Sequence, residues 1–132
     1  MKNKIINLEN YFKLKKKLKS KKIIMAHGVF DYLHIGHLRY FNQCKKHADI
    51  LIVSVTSDKY VNKGFNKPYF NDKLRMEAIA SNIDVDYVVL SNSLTAERNI
   101  EKIKPDYYAK GNDYKSLIND DANLKKEILS LK

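Results

Sequence analysis

Residues 50–56, Ile-Leu-Ile-Val-Ser-Val-Thr, restrict the folding of this chain more than any other segment. The run is β-branched and almost continuously apolar. It lacks the strict alternation of a strand with one wet face, so it reads as a strand buried on both sides, the habit of parallel sheets covered by helices. Such a sheet needs further strands and the crossover helices between them. The periodicities supply both. Residues 22–26 form a short apolar run, which His27-Gly28 should break. Leu38, Phe41 and Cys44 lie at helical spacing within 35–47. Asn71 is a plausible N-cap for a helix over 72–82, after a polar stretch interrupted by Gly64 and Pro68. Residues 87–90 read as a third strand, 95–103 as a helix ended before Pro105, and 106–109 as a fourth strand closed by Lys110-Gly111.

Strand and helix thus alternate four times. The expectation is an α/β, Rossmann-like single domain: a parallel sheet flanked by helices, with 23–26 and 50–55 adjacent and central. A helix over 8–19 should precede it, on the stripe Leu8, Tyr11, Phe12, Leu14 and Leu18. The tail 120–131 places Leu124, Ile128 and Leu131 at helical spacing. Ligands of such sheets bind beyond the carboxyl ends of the strands, so the turn after the first strand is the place to look for chemistry.

Size and charge narrow the function. A chain of 132 residues makes one ordinary domain. No stretch reaches the roughly 20 apolar residues of a membrane span, and the first residues contain no apolar signal core. The single cysteine, Cys44, excludes an intrachain disulfide, suits a reducing cytoplasm and reads as helix core. The net charge of +10 is unevenly spread. Residues 1–22 hold nine lysines against Glu9 alone, whereas 23–132 carry sixteen basic and fourteen acidic side chains. The nearly neutral body argues against nucleic acid as a partner. The lysine run reads first as a solvated helix face, with contact to a polyanion or a membrane surface as the alternative.

The turn after the first strand reads Ala26-His27-Gly28-Val29-Phe30-Asp31-Tyr32-Leu33-His34-Ile35-Gly36-His37. His34 and His37 are three apart at a helix start and share a face. Gly36 leaves room for a ligand to approach. The helix N-terminus offers unpaired N–H groups and partial positive charge, which suit phosphate. Two imidazoles there can stabilise charge developing on a phosphoryl group. By spacing alone, the pair is also compatible with one core and one surface histidine. As a zinc site it lacks a close Cys or Glu partner.

The segment Gly28-Val-Phe-Asp-Tyr-Leu-His-Ile-Gly-His37 resembles the signature of the HxGH nucleotidyltransferase superfamily in its cytidylyltransferase-like branch. The likeness extends to about residue 117. Asp49 to Asp58 is similar to the family's second strand and its ST-D turn; Asn71-Asp-Lys-Leu-Arg75 and Val85-Asp-Tyr-Val88 follow in order. Lys104-Pro-Asp106, followed by Lys110-Gly-Asn-Asp-Tyr114, is similar to glycerol-3-phosphate cytidylyltransferase and to the nucleotidyltransferase domain of ADP-heptose synthase. The resemblance implies catalytic roles for His34 and His37 at the α-phosphate, for Lys63 at the acceptor phosphate and for Arg75 at the β- and γ-phosphates. It implies that Gly28, Val29, Phe30, Asp31 and Gly36 line the nucleotide turn, that Lys45 reaches a phosphate, and that Lys110, Gly111 and Asp113 border the base. The residues alone leave Lys45 and Lys63 readable as surface lysines, Arg75 as one half of a helix-surface ion pair and Asp113 as a cap.

The same resemblance implies transfer of CMP from CTP to a sugar or polyol phosphate made for a surface glycan, with ATP and AMP as the alternative. It also implies Mg²⁺ carried on the nucleotide phosphates with no direct protein ligand, and a homodimer. The family's late Ser/Thr-rich motif is not found after Asp113, and Asn66-Lys-Pro68 stands where heptose-type enzymes tend to have Gly-Arg-Pro. The first departure leads us to expect a piece of a longer polypeptide, fused to a second enzyme domain. Two rival readings stay open. One is a non-catalytic nucleotide-binding module. The other is a class I aminoacyl-tRNA synthetase, for which the literal His-Ile-Gly-His speaks, while the chain's length and the lack of a KMSKS-like run speak against it.

Overall fold

The computed structural model describes residues 2–61, 68–109 and 128–130. The elements run α1 (Leu8–Lys15), β1 (Ile23–Gly28), α2 (Ile35–His47), β2 (Ile50–Thr56), α3 (Asp72–Ala80), β3 (Tyr87–Ser91), α4 (Glu97–Ile103), β4 (Tyr107–Ala109) and β5 (Ile128–Ser130). The sheet order is β3-β2-β1-β4-β5. Strands β1 to β4 pair in parallel, with Ile23 opposite Ile50, Ile52 opposite Tyr87 and Ile24 opposite Tyr107. This is a four-strand parallel, Rossmann-like sheet flanked by helices, with β1 central and β2 beside it, as the alternation implies. No helix among the described residues is long and apolar enough to cross a membrane.

The parity of the strand residues divides the core in two. Ile24, Ala26, Leu51, Val53 and Val55 point to one side and pack with Tyr40, Phe41 and Cys44 of α2 and with Ile79 of α3. Ile23, Met25, Ile52 and Val89 point to the other and pack with Tyr11 of α1 and Ile103 of α4. The doubly apolar run of β2 thus reflects two helical layers. Cys44 is fully buried, and burial pushes its thiol up to about 12, consistent with a core residue.

Three expectations are corrected. His27-Gly28 does not break the first strand; both residues continue its ladder opposite Ser54 and Val55. Helix α1 ends at Lys15 in a 3₁₀ turn, and of the expected stripe Tyr11 is the buried member, with Leu8 packed against the same cluster. Tyr11 is wholly buried and donates to the Ile103 carbonyl at 2.8 Å. Within the expected tail helix, Ile128–Ser130 is instead an edge strand, antiparallel to β4 with Leu129 opposite Tyr108. A three-residue β4 with one open edge leaves N–H and C=O groups that a passing apolar segment satisfies, and this outweighs a weak helical spacing.

The Ile103 carbonyl also accepts from Lys15 Nζ at 2.8 Å, which sets the scale of a test. Tyr11→Phe leaves that carbonyl satisfied and should cost at most about 1 kcal/mol. Tyr11→Ala empties a core site and should cost about 3–5 kcal/mol. Urea unfolding midpoints check this; equal losses in the two variants would show that the hydroxyl, not the ring, is the anchor.

Candidate active site

The strand order reverses about β1, which has β2 on one side and β4 on the other. That places a crevice beyond the carboxyl end of β1. The chain enters it through Phe30, which holds φ at 54°. A bulky residue in the left-handed region is strained. Its ring is buried, edge-on to His37 at 5.4 Å and 5.5 Å from Phe41. The turn lets the Asp31 carboxylate accept from the backbone N–H groups of Tyr69 (2.7 Å) and Phe70 (2.9 Å). Asp31 therefore fastens the turn after β1 to the segment that leads into α3.

Helix α2 is capped by its own histidines. His34 is the N-cap residue, and its Nδ1 accepts from the Gly36 N–H at 3.0 Å. His37 Nδ1 accepts in turn from the His34 N–H at 3.2 Å. This is the reciprocal arrangement of a capping box, made with imidazoles in place of a hydroxyl and a carboxylate. A backbone N–H can only donate, so both Nδ1 atoms carry lone pairs and the ring proton of each neutral histidine sits on Nε2. The rings lie 4.0 Å apart between centroids. His34 is exposed and His37 buried. The spacing HxGH thus yields two Nε2–H donors of fixed tautomer at the positive end of a thirteen-residue helix, with a bare Gly36 between them.

Arg75, expected at the β- and γ-phosphates, has its partners within the protein. It is 1% exposed. Its Nε donates to Phe70 O (2.9 Å), its Nη1 to Val29 O (2.8 Å) and Thr56 O (2.8 Å), and its Nη2 to Asp58 Oδ1 (2.6 Å). Four of its five N–H groups are committed within the protein. Arg75 builds the crevice by tying the ends of β1 and β2 to the start of α3. Lys45, expected at a phosphate, also has partners within the protein. It lies in the last turn of α2, where its Nζ donates to the Asp49 carbonyl at 2.7 Å and pairs with Asp86. Both partners stand just before β2 and β3, at the amino end of the sheet, one helix length from the histidines. Gly28, Val29, Phe30, Asp31 and Gly36 gather at the carboxyl end with His34 and His37. Lys63, Lys110, Gly111 and Asp113 lie outside the described residues.

Sequence reasoning passed over His27. Its Nδ1 is 2.9 Å from Ser54 Oγ and its Nε2 3.4 Å from Thr56 Oγ1. Asn99 of α4 donates to the same Ser54 Oγ at 2.8 Å, and Thr56 Oγ1 donates to Gly28 O at 3.4 Å. The donors run one way: Asn99 amide to Ser54 hydroxyl to His27 Nδ1, then His27 Nε2–H to Thr56 and Thr56 to the Gly28 carbonyl. Burial pushes the His27 pKa down to about 4. A signal was available: Ser54 and Thr56 are the two polar residues of an apolar strand, two apart, opposite His27 and its neighbourhood.

A neutral, partly buried histidine makes stability depend on acid. Above pH 6.5 native and unfolded chains both hold it uncharged. Below pH 6.5 only the unfolded chain takes up the proton, so stability is lost as pH falls to about 4. Each unit of that interval costs about 1.4 kcal/mol. His27→Gln should flatten the decline of the unfolding midpoint between pH 6.5 and 4; an identical slope in both proteins would mean that His27 is charged in the native state.

The sequence between residues 25 and 131 matches the family model described as cytidylyltransferase-like. The chain is 42% identical over 114 residues to the bifunctional protein HldE of Helicobacter hepaticus, a match covering 85% of this chain and 24% of that protein. With the bifunctional protein HldE of Geobacter metallireducens the identity is 37% over 100 residues, covering 74% of this chain and 20% of the relative. The chain therefore spans about a fifth to a quarter of the length of these relatives. Among solved structures it is similar to the lipopolysaccharide core biosynthesis protein of Thermoplasma volcanium, with a TM-score of 0.64, 28% identity, and coverage of 85% of this chain and 93% of that one.

Proposed function

The chain belongs to the cytidylyltransferase-like family, and from that premise we propose that it transfers AMP from ATP to a sugar phosphate with release of pyrophosphate. The observation that supports this reading most is the pair of imidazoles whose Nδ1 atoms are committed to the start of α2. Their Nε2–H groups are preorganised donors for a phosphoryl group, where such donors act on charge that develops in the transition state. An oxygen of the acceptor phosphate attacks the α-phosphorus and forms the new P–O bond. The bond from the α-phosphorus to the bridging oxygen breaks, and its electron pair leaves with pyrophosphate. The acceptor is already anionic, so positioning and charge stabilisation suffice and no strong base is needed.

The choice of nucleotide reverses the order taken from the sequence. The HldE matches side with the resemblance to ADP-heptose synthase over that to glycerol-3-phosphate cytidylyltransferase, so ATP comes before CTP. Mg²⁺ fits this reading as a passenger of the nucleotide. The described residues contain no group of three metal-ligating side chains, and both oxygens of Asp31 already accept backbone N–H groups. Substrate phosphates would hold the cation, and it would offset charge on the departing pyrophosphate.

The test is pyrophosphate release with ATP or CTP over a panel of sugar and polyol phosphates, in wild type and in His34→Asn. Asparagine caps helices well, so this variant keeps the fold while losing the Nε2–H donor. Turnover should fall about 10²–10³-fold with far less change in nucleotide affinity. Near-normal turnover in His34→Asn would reduce the histidine to a cap. Binding of ATP without pyrophosphate release would leave a nucleotide-binding module.

A homodimer belongs to the same reading. A hollow of about 500 Å³ beside the nucleotide turn is rimmed by exposed Tyr32, Phe70 and Leu74, and neither His34 nor His37 lines it. Apolar exposure of this kind supports association. Sedimentation should give a dimer for wild type and a monomer for Leu74→Glu; a monomeric wild type at micromolar concentration would end this part of the proposal.

A further inference from the structure

The amino end of the sheet, opposite the histidines, carries a second concavity of about 300 Å³. Lys15, Lys19, Lys21 and Lys104 line it, with Asp106 and the apolar Ile23. That volume is at the lower end for small-molecule sites. The lysines converge through tertiary structure and not merely by sequence. Lys15 ends α1, Lys19 and Lys21 follow the 3₁₀ turn, and Lys104 arrives from the C-terminus of α4.

Internal partners do not account for this charge. Among the described residues, Asp106 is the one carboxylate lining the concavity. Its Oδ2 accepts the Ile23 N–H at 2.8 Å and its Oδ1 lies 4.0 Å from Lys22. Lys15 Nζ is committed to the carbonyls of Ile103 (2.8 Å) and Lys104 (3.4 Å), so the negative end of α4 already has its cation. Among the described residues, no hydrogen bond or ion pair engages the ammonium groups of Lys19, Lys21 or Lys104. Lys104 is also held at φ 52°, where glycine would relieve the backbone. Its charge lowers the Lys15 pKa, second to burial. A long cationic residue thus occupies the left-handed C-cap position of α4, where the backbone favours glycine, and crowds a neighbouring cation.

We infer that this concavity is an anion site for a phosphate group, held by Lys19, Lys21 and Lys104 at the amino end of the sheet. Lysine binds phosphate as a point charge with rotatable donors. The site is independent of the reaction proposed above, since it lies at the other end of the strands. The phosphate belongs either to a soluble ester or to an anionic lipid headgroup, and the two sources share this chemistry.

The experiment is a titration of the isotope-labelled chain with inorganic phosphate, read residue by residue in amide NMR spectra. Saturable shifts are expected at residues 15–21 and 103–106, separate from any at Gly36 and His37. The triple variant Lys19→Gln, Lys21→Gln, Lys104→Gln alters exposed side chains only. It should lose the first set, keep the second and retain its unfolding midpoint. Sedimentation with phosphatidylglycerol vesicles separates the sources. Vesicle binding that free phosphate competes away and the triple variant lacks identifies a headgroup; phosphate shifts without vesicle binding identify a soluble ester. Absence of saturable shifts at 15–21 and 103–106, or their persistence in the triple variant, overturns the proposal. So does vesicle binding that the triple variant keeps and phosphate cannot compete, if it is the only response seen.

Discussion

The guanidinium of Arg75 is the constraint on which the carboxyl end of the sheet depends. Three carbonyls converge on it from the exit of β1, the exit of β2 and the entry to α3, and Asp58 supplies the opposite charge. The arginine side chain is fully covered while its carboxylate partner is 42% exposed. Removing a buried cation of this kind would strand three polar acceptors, the costly half of a buried pair. The loops that shape the crevice therefore have one common fastening. Asp31 adds a second tie between the same two segments, at Tyr69 and Phe70.

Around that fastening the two sides of the sheet do different work. The α2/α3 side carries an apolar core up to the histidines, and Phe30 seals it. The α1/α4 side begins apolar at Ile23 and Met25 and turns polar towards the carboxyl end, where His27, Ser54, Thr56 and Asn99 hold one another. A directed chain of hydrogen bonds there fixes the backbone at Gly28, directly before the turn that Phe30 makes. Helix α2 is secured at both ends, by its imidazoles at one and by Lys45 with Asp86 at the other. The histidine pair is thus registered against both ends of the strands.

Much of this was legible because burial and period coincide. Helix α2 and strand β2 fall at the expected residues, and Asn71 caps α3 as its side chain suggests. His34 and His37 come together because three-residue spacing at a helix start admits little else. What remained hidden depends on partners distant in sequence. Arg75 and Lys45 carry charges that suit a phosphate. Only the fold shows that carbonyls 19 and 46 residues away claim the first, and that Asp86 claims the second. The strand at Ile128–Ser130 was hidden for the same reason, since an edge strand is defined by the open ladder it meets. His27 was hidden by its neighbour: beside Gly28 it looks like a breaker, and its hydrogen bonds run to another strand.

The left-handed Phe30 carries a consequence for how this sequence can diverge. Backbone conformation alone would select glycine at position 30, and asparagine would be the next best occupant. The space between His37 and Phe41 selects a large aromatic ring. Glycine would relax the turn and open a void beneath His37. Asparagine would bury an amide against apolar neighbours. The two demands intersect in very few side chains, so descendants of this sequence have almost no neutral path at position 30, although nothing about the residue is reactive.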